Sequence, residues 1–559
     1  MTASSDLIRY QVMWNRLISI VEEQARTLVR AAFSTSTREA GDLSAGVFDT
    51  RGRMLAQSVT GTPGHVNSMA ASVAHFLEAF PTDTMVPGDI YMTNDPWRGT
   101  GHLYDFVVVT PVFRSGRPVA LFACTSHVVD IGGVGFSMEG REVFHEGLFI
   151  PIVRLARQGS FDETLMAVIR ANTRTPAMVE GDVHSLAACN DRGATRLLAM
   201  MDEFGLADLA ALADHICDRS REAMLALIGE LPQGTYRSSM RIDGVDEPID
   251  LVAAMTVRPT GIDVDFGGTS PMSTWGVNVP MAYTDAYTSF GIRCIVGPDV
   301  PNNAGSLEVI DVTAPEGCIL NAPYPAAVNV RHIVGQMLPD TVFGCLHQIL
   351  PDRVPAEGTS ALWNLGVDGY TEDGERYFVI SFHSGGAGAR PTSDGLSATA
   401  FPSGVRNTPV EVNEAISPLL FWRKELRPGS GGPGRWRGGL GQVVELGNRE
   451  GRPFTLSATY ERTRHPPRGR AGGGAGSPGR VRLASGDPVA PLGRTVIPAG
   501  ERVVLEFPGG GGFGDPAERD PALVQADRKA GLDGGDDRSV GLDGGDDRGD
   551  GSPAVPLSR

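Results

Sequence analysis

The sequence predicts an α+β protein with several lobes of mixed sheets and helices and a β-rich lobe near the C-terminus. Three observations support this prediction. Apolar residues recur at three- and four-residue spacing over residues 6–33, which is the period of an amphipathic helix. Apolar runs at 106–113 and 119–124 are typical of two buried strands joined by a short turn. Short strand-like runs then dominate residues 443–507.

Changes in composition divide the 559 residues, which are enough for two to four domains. The predicted parts are an N-terminal lobe at 1–231, a central α+β lobe at 232–384, a Gly-rich and β-rich lobe at 385–516 and a tail at 517–559. Within the third part, the glycine run Arg468–Gly479 is expected to be flexible. The acidic tail repeats GLDGGDDR and has too little apolar surface to offset the entropy lost on ordering. We therefore predict that the tail is largely disordered.

Charge and cysteine usage exclude several classes of protein. The net charge of −17 disfavours nucleic acid and anionic membranes as partners. The six cysteines are widely spaced without a CxxC pair, which argues against a zinc knuckle and against a disulfide framework. The chain does not start with a basic segment followed by an apolar run, and no apolar stretch is long enough to span a bilayer. We expect a cytoplasmic protein.

Two polar segments flank the predicted strand pair and contain candidate metal ligands. NDPWRGTGHLYD, at 94–105, ends where the first strand begins, and SHVVDIGG, at 126–133, begins where the second strand ends. If the two strands pair as a hairpin, His102, Asp105 and His127 meet at one end of the sheet. Two imidazoles and one carboxylate leave coordination positions open on a metal ion, which is typical of catalytic rather than structural sites.

A further oxygen ligand is available from Asp42, in REAGDLS, or from Asp130. The ligand types suit zinc, iron or manganese alike. A simpler interpretation is that the HxxD spacing arises by chance in a chain with 11 histidines. A histidine beside an aspartate is also more often a hydrogen-bonded surface pair than a ligand set. Residue spacing alone leaves both interpretations open.

These two segments, and others along the chain, resemble the hydantoinase B/oxoprolinase family, which includes caprolactamase and subunits of acetone and acetophenone carboxylases. The resemblance runs in consistent order from about residue 6 to residue 530. Further matching segments are GDLSAGVFDTRGRMLAQ (41–57), TPGHVNSM around His65, DFGGTSP (265–271), GARPTSDGLSATAFPSGVRNTPVEVNE (388–414), ELRPGSGGPGRWRGGLGQ (425–442) and PGGGGFGDP (508–516).

The resemblance implies a divalent metal ion in this chain. The family's ligands correspond to His102, Asp105 and His127, with Asp42 as the fourth. His65 and Asp130 are the candidate catalytic residues, and either Asp130 or Asp42 would act as the general base. The chain departs from many relatives at one position, since Val128 stands where they have a second histidine. We expect this difference to affect the choice of substrate.

The resemblance also implies a reaction shared between two subunits. An A-type partner would use ATP to phosphorylate the amide oxygen of a small cyclic amide, and this chain, as the B subunit of a hetero-oligomer, would hydrolyse the activated amide at its metal site. The alternatives are a subunit of an ATP-dependent ketone carboxylase and a scaffold with a structural metal. This chain has no GK[ST] motif, and its glycine segments Asp265–Thr269 and Pro508–Pro516 lack the residues that complete a nucleotide site.

Overall fold

The computed structural model describes residues 3–534. Its helices are α1 (Ala3–Ala31), α2 (Thr35–Arg38), α3 (Pro63–Ala79), α4 (Val143–Glu146), α5 (Glu163–Asn172), α6 (Pro176–Phe204), α7 (Ala210–Gly229), α8 (Met281–Val296), α9 (Ala304–Leu307), α10 (His332–Gly335), α11 (Leu338–Leu346), α12 (Val410–Ile416) and α13 (Pro521–Lys529). Short 3-10 turns cover Thr82–Thr84 and Pro516–Glu518. None of the helices in this part of the chain is long and apolar enough to cross a membrane.

The strands belong to four sheets. In chain order they are β1 (Leu43–Phe48), β2 (Met54–Gln57), β3 (Ile90–Thr93), β4 (Asp105–Arg114), β5 (Arg117–His127), β6 (Val153–Arg157), β7 (Ser160–Phe161), β8 (Gly234–Ile242), β9 (Ile249–Arg258), β10 (Gly261–Asp265), β11 (Ile310–Thr313), β12 (Trp363–Tyr370), β13 (Arg376–His383), β14 (Leu419–Leu426), β15 (Gln442–Asn448), β16 (Phe454–Thr459), β17 (Arg480–Leu483), β18 (Leu492–Ile497) and β19 (Arg502–Glu506). The predicted α+β class is confirmed.

The N-terminal sheet is antiparallel and has the order β2-β1-β5-β4-β3-β6-β7. At its centre β4 and β5 form the hairpin that the sequence predicts. Successive side chains of the hairpin point to opposite faces, as the pleat requires. Val107 and Val109 pack in the same cluster as the apolar residues of α3, whereas Val112 and Phe122 pack with residues of α1, α6 and α7. Both faces of the sheet are covered by helices.

The central sheet has the order β11-β10-β9-β8 and contains one parallel pair, β10 with β11, between which α8 lies in the chain. Buried and partly exposed residues alternate along β9, and α11 packs against β8 and β9. The sequence predicts one helix over residues 331–350. The structure has two shorter helices there, α10 and α11, with Gln336 and Met337 between them.

The C-terminal part contains two four-stranded sheets, β13-β12-β16-β18 and β14-β15-β19-β17. Side chains from both sheets share one apolar cluster, which includes Trp363, Leu456 and Leu505. The predicted β-rich lobe is therefore present. The main core cluster includes residues from Ala25 to Val405, and the cluster between the two sheets begins at Trp363. The bounds of the predicted lobes stay a prediction.

Glycine-rich segments pack side by side next to these sheets. Backbone hydrogen bonds join Gly432 N to Gly510 O (2.8 Å), Gly439 N to Ala387 O (2.8 Å) and Gly512 N to Gly474 O (2.9 Å). The expectation of a flexible run at Arg468–Gly479 is wrong, because that run supplies backbone partners to its neighbours. Glycine is required here because these backbone segments approach one another too closely for side chains to fit between them.

Part of the predicted disordered tail is ordered. Residues 521–529 form α13, whose Asp527 makes salt bridges with Arg437 (3.1 Å) and Arg519 (2.7 Å). Gly429 N also donates to Leu532 O at 2.9 Å. Charge pairing therefore docks a segment whose apolar content alone did not predict order. The second GLDGGDDR copy lies outside the described residues.

Close glycine packing leads to a first prediction. Gly510→Ala should severely destabilise the protein, because the added Cβ would lie 2.0 Å from the Ala387 carbonyl oxygen and the neighbouring backbone cannot move freely. We expect a loss of at least about 3 kcal/mol in the free energy of unfolding, measured by urea denaturation. Gly229→Ala is the matched control, since its Cβ would meet no atom within 4 Å. Equal stability of the two variants would contradict the close packing.

A second prediction concerns Asp243, which follows β8. Its buried carboxylate accepts hydrogen bonds from the backbone amides of Thr463 (2.6 Å), Arg464 (3.0 Å) and His465 (2.8 Å) and so fastens the central sheet to a C-terminal loop. Asp243→Asn places an amide donor against these donors. We expect a loss of about 2–3 kcal/mol, compared with under about 1 kcal/mol for Asp250→Asn, which breaks an exposed salt bridge.

The effect of Asp243 should depend on pH in one direction. Burial alone would raise the pKa of Asp243, but the hydrogen bonds from Thr463, His465 and Arg464 hold it below its ordinary value of 3.8. The stabilisation is therefore complete above pH 3.8 and is lost as the pH falls through the lower pKa of the folded state. Urea titrations from pH 7 to pH 3 should show the gap between wild type and Asp243→Asn narrowing only at the acidic end. A gap that widens on acidification would contradict this assignment.

Candidate metal centre and active site

The candidate site lies at one end of the N-terminal sheet, where β1 and β4 begin and β5 ends. Asp105, the first residue of β4, is paired in register with His127, the last residue of β5. β1 lies on the other side of β5, and His127 N donates to the carbonyl oxygen of Asp42, just before β1, at 3.2 Å. The ring centroids of His102 and His127 are 5.3 Å apart. The hairpin thus brings the predicted residues together, as the sequence analysis expects.

His65 joins this group from the first turn of α3. Its Nε2 lies 3.0 Å from Asp105 Oδ2, and its Nδ1 lies 3.4 Å from Asp42 Oδ1. Thr62, which precedes the helix, donates its hydroxyl to Asp42 Oδ1 at 2.9 Å. Pro63 at the first helical position favours the start of the helix there. His65 therefore bridges two buried carboxylates.

Arg331 is a site residue that the sequence analysis missed. Its buried guanidinium donates to Asp105 Oδ2 at 2.7 Å and to the Thr100 carbonyl oxygen at 2.9 Å, and it stacks 4.0 Å above the ring of Tyr283. At Gly101 (φ 97°) a Cβ would lie 2.6 Å from Arg331 Nε, so only glycine leaves room for this arginine. The only sequence signal was the basic pair in VNVRH.

A backbone carbonyl orients the ring of His102. Its Nδ1 lies 2.9 Å from Asn329 O, which places Nε2 3.1 Å from Asp105 Oδ1. The peptide of Asn329 is itself held by buried Glu146, whose Oε1 accepts from Asn329 N at 2.8 Å and from Val328 N at 2.6 Å. Such outer contacts fix the tautomer and direction of a ligating histidine. We expect Nδ1 to hold the proton, leaving the lone pair on Nε2.

Charges within the cluster are strongly coupled. Burial alone would raise the pKa of Asp105, but His102, His65 and Arg331 hold it well below its usual range. Burial raises the pKa of Asp42 against the opposing effect of His65. Burial alone would lower the pKa of His65, but Asp105 and Asp42 raise it. Asp105 is therefore a carboxylate, and His65 favours its protonated form.

The other imidazoles behave in the opposite way. Burial, together with the charge of Arg331, lowers the pKa of His102. Burial and the neighbouring His102 lower the pKa of His127 to about 3. Burial and Arg331 likewise lower the pKa of His332, which lines the same cavity. At neutral pH these three rings are uncharged, and an uncharged imidazole is the form that binds a metal ion.

Several polar atoms of the cluster have no hydrogen bond within residues 3–534. They are His127 Nδ1 and Nε2, His102 Nε2, His65 Nδ1 and Asp105 Oδ1. Close histidine–aspartate approaches do occur, but their angles are not those of hydrogen bonds. Buried polar groups are rarely left without partners, and each exception calls for an explanation such as an ion. The donor types fit a divalent transition metal.

The described side chains of this cluster do not form a complete set of metal ligands. In the part of the chain that the structure describes, no group of three or more His, Cys, Asp or Glu side chains is placed so that it could hold a metal ion. One oxygen of Asp105 is already occupied by Arg331 and Thr100. Metal binding by Asp42, His102, Asp105 and His127 therefore stays a prediction, supported by the chemistry of the unpartnered atoms.

Asp130 lies apart from the cluster. Its Oδ1 accepts from Arg174 Nη1 at 2.7 Å and from Gly132 N at 3.1 Å, and its Oδ2 accepts from the backbone N of Arg174. It lines a neighbouring cavity instead of the one that contains His102 and His127. Its oxygens are thus held by a guanidinium and by backbone amides, and its role as the general base stays a prediction.

The match to a family model, described as hydantoinase B/oxoprolinase, covers residues 6–516 of this chain, including every residue of the cluster. The chain belongs to the hydantoinase B/oxoprolinase family. Among its relatives, the caprolactamase subunit beta of Pseudomonas jessenii is 28% identical, with 94% of each chain covered. The 5-oxoprolinase PfmaA of Pestalotiopsis fici is 30% identical over 90% of this chain but only 41% of that much longer protein.

Solved structures agree with this assignment of the hydantoinase B/oxoprolinase fold. The ATP-dependent caprolactamase from Pseudomonas jessenii has a TM-score of 0.87 at 26% identity, covering 94% of both chains. A nucleotide-free acetone carboxylase has a TM-score of 0.84 at 21% identity, covering 94% of this chain and 78% of that one. The second likeness concerns the fold alone.

The metal prediction can be tested directly. Purified protein should contain about one equivalent of a divalent transition metal, and His102→Ala and His127→Ala should each lower its affinity by about 10-fold or more, because each removes a donor. Metal content after dialysis, measured by plasma mass spectrometry, checks this, with circular dichroism to confirm folding. His75→Ala, on the exposed face of α3, is the control. Full metal retention in both variants would exclude these histidines as ligands.

Proposed function

We propose that this chain is the B subunit of an ATP-dependent hydrolase of small cyclic amides such as hydantoins, 5-oxoproline or lactams. The observation that supports this most directly is the buried cluster of Asp42, His65, His102, Asp105 and His127, within a chain of this family. The relatives named above are a caprolactamase and a 5-oxoprolinase, whose names describe enzymes acting on cyclic amides.

Cyclic amides resist hydrolysis because resonance strengthens the C–N bond. In the proposed reaction a partner subunit transfers a phosphoryl group from ATP to the amide oxygen. The oxygen of one water then bonds to the amide carbon, the C–N bond breaks and the ring nitrogen takes a proton, which leaves an acyl phosphate. A second water hydrolyses the acyl phosphate to a carboxylate and phosphate. A divalent ion bound by the predicted ligands would supply Lewis acidity toward water and the phosphorylated oxygen.

In the proposed reaction, residues of this chain would orient the side chains of the site and supply a proton to the departing nitrogen. Arg331 fixes one oxygen of Asp105, so that the other oxygen stays directed toward His102. His65 lies between two carboxylates, and because they raise its pKa it is suited to hold a proton and release it to the departing nitrogen. Asp42, whose pKa is raised by burial, lies within the cluster and is our candidate for accepting a proton from water.

The partner in this proposal is an A-type ATP-binding subunit. The name of one relative, caprolactamase subunit beta, indicates an assembly of unlike subunits. Neither glycine segment of this chain has the features of a nucleotide site. Asp265 accepts from Gly267 N at 2.9 Å in a local turn after β10, and Gly509–Gly512 are packed against other backbone segments.

A ketone carboxylase subunit is the alternative reaction. Its support is the fold likeness to acetone carboxylase, at 21% identity, whereas the higher identities are with cyclic amide hydrolases. We therefore place the hydrolase first. Bicarbonate and a ketone would be needed by the carboxylase and are not needed by the hydrolase, so one assay separates the two.

The proposal predicts strict dependence on partner and ATP. Hydantoin, 5-oxoproline and caprolactam should not be opened by the isolated chain, and at least one should be opened when the A-type subunit and ATP are added. Product analysis by liquid chromatography and phosphate release measure the coupling. His102→Ala in the same complex should lose at least about 100-fold in ring opening, with His75→Ala unchanged. Ring opening without ATP, or product only with bicarbonate and a ketone, would overturn the proposal.

A further inference from the structure

A second cavity lies beside the cluster and shares one wall residue with it. This cavity encloses about 120 Å³, and Phe136 is the residue common to both linings. The Phe136 ring is buried, with its centroid 5.5 Å from that of His127 and 5.7 Å from that of His332. The ring therefore stands between the imidazoles and the second cavity.

The cavity around the cluster is too small for a substrate. It offers about 30 Å³, and a single water needs at least about 10–15 Å³ of such space, so it holds only one or two waters. A cyclic amide with five or more ring atoms and its substituents needs several times that volume. Part of any such molecule must lie elsewhere, and the cavity behind Phe136 is adjacent and larger.

The second cavity is lined by arginines whose charge is incompletely balanced. Arg174 is paired with Asp130, and Arg376 with Asp368. Arg494, on β18, has no ion pair and no side-chain hydrogen bond with any described residue. The lining therefore has one positive charge in excess, at an exposed arginine on its edge.

Thr175, at the terminus of a helix, also lines this cavity. Thr175 is the N-cap of the 29-residue helix α6, and its side chain does not cap the helix. Its Oγ1 is buried and has no hydrogen-bond partner among the residues described. The positive end of the dipole of a long helix favours an anion, although Pro176 supplies no N–H at this terminus. An unpaired guanidinium, a free hydroxyl donor and a helix N-terminus thus point to one kind of ligand.

We propose that this cavity, which we call the anion vestibule (Arg174, Thr175, Arg376, Arg494 and Phe136), binds an anionic group of the reacting molecule while its amide carbon lies beside the His102–His127 cluster. The anion is either a carboxylate on the substrate or the phosphoryl group of its activated form. Phe136 turns aside to join the two cavities. The identity of the reacting molecule rests on the proposed function, but anion binding by the vestibule can be measured without catalysis.

The test is calorimetric titration of the full-length chain with three probes: inorganic phosphate, 5-oxoproline, and 2-pyrrolidone, which is 5-oxoproline without its carboxylate. At least one anion should bind the wild type, and Arg494→Gln should weaken it by about 10-fold because a charged hydrogen bond is lost. Thr175→Val should weaken the same anion by about 3- to 10-fold. Arg449→Gln, an exposed arginine of the same lobe outside the vestibule, is the control.

The outcomes separate the two sources of the anion. If Arg494→Gln and Thr175→Val lose binding of phosphate only, the vestibule binds the phosphoryl group. If they lose binding of 5-oxoproline only, with 2-pyrrolidone unaffected, the vestibule binds the substrate carboxylate. Binding of both anions that is equal in wild type, Arg494→Gln and Thr175→Val would overturn the vestibule, as would the absence of millimolar binding of either anion. Failure of ring opening with partner and ATP would instead overturn the proposed function and leave these affinities in place.

Discussion

The buried carboxylate of Asp105 is the constraint on which the site depends. It is inaccessible to solvent, and it accepts hydrogen bonds from Thr100 (2.8 Å) and Arg331 (2.7 Å) while lying within 3.1 Å of His65 and His102. A buried charge without partners costs several kcal/mol, so the loop before β4, α3 and the start of α10 must all reach this point. If one of these partners is removed, the buried charge of Asp105 is less well compensated.

The register between β4 and β5 places Asp105 at the position where these partners reach it. Asp105 faces His127 because β4 and β5 are paired in one register, and a slip by one residue would turn Asp105 to the other face of the sheet. The register is fixed by the alternation of Val107 and Val109 toward α3 with Val108 toward the opposite side. The same packing that forms the core therefore aligns the site.

Features that depend on neighbouring residues could be predicted from the sequence. The hairpin ends, the N-terminal helix and the β-rich lobe follow from spacing and periodicity. Arg331 and Glu146 could not be found in this way, because their contacts are distant along the chain. Arg331 donates to the carbonyl oxygen of Thr100, and Glu146 accepts from the backbone amide of Asn329. The glycine run at Arg468–Gly479 was misjudged for a related reason: its partners are backbone atoms of other segments, and composition does not reveal them.

The loop after β5 connects the surroundings of Asp130 with those of His102. Arg174 anchors the start of this loop through Asp130, and the carbonyl oxygens of Gly135 and Ser137 accept from the side chain of Asn329 at 2.8 and 2.7 Å. Asn329 in turn orients His102. The loop that carries Phe136 therefore also holds the peptide that orients His102.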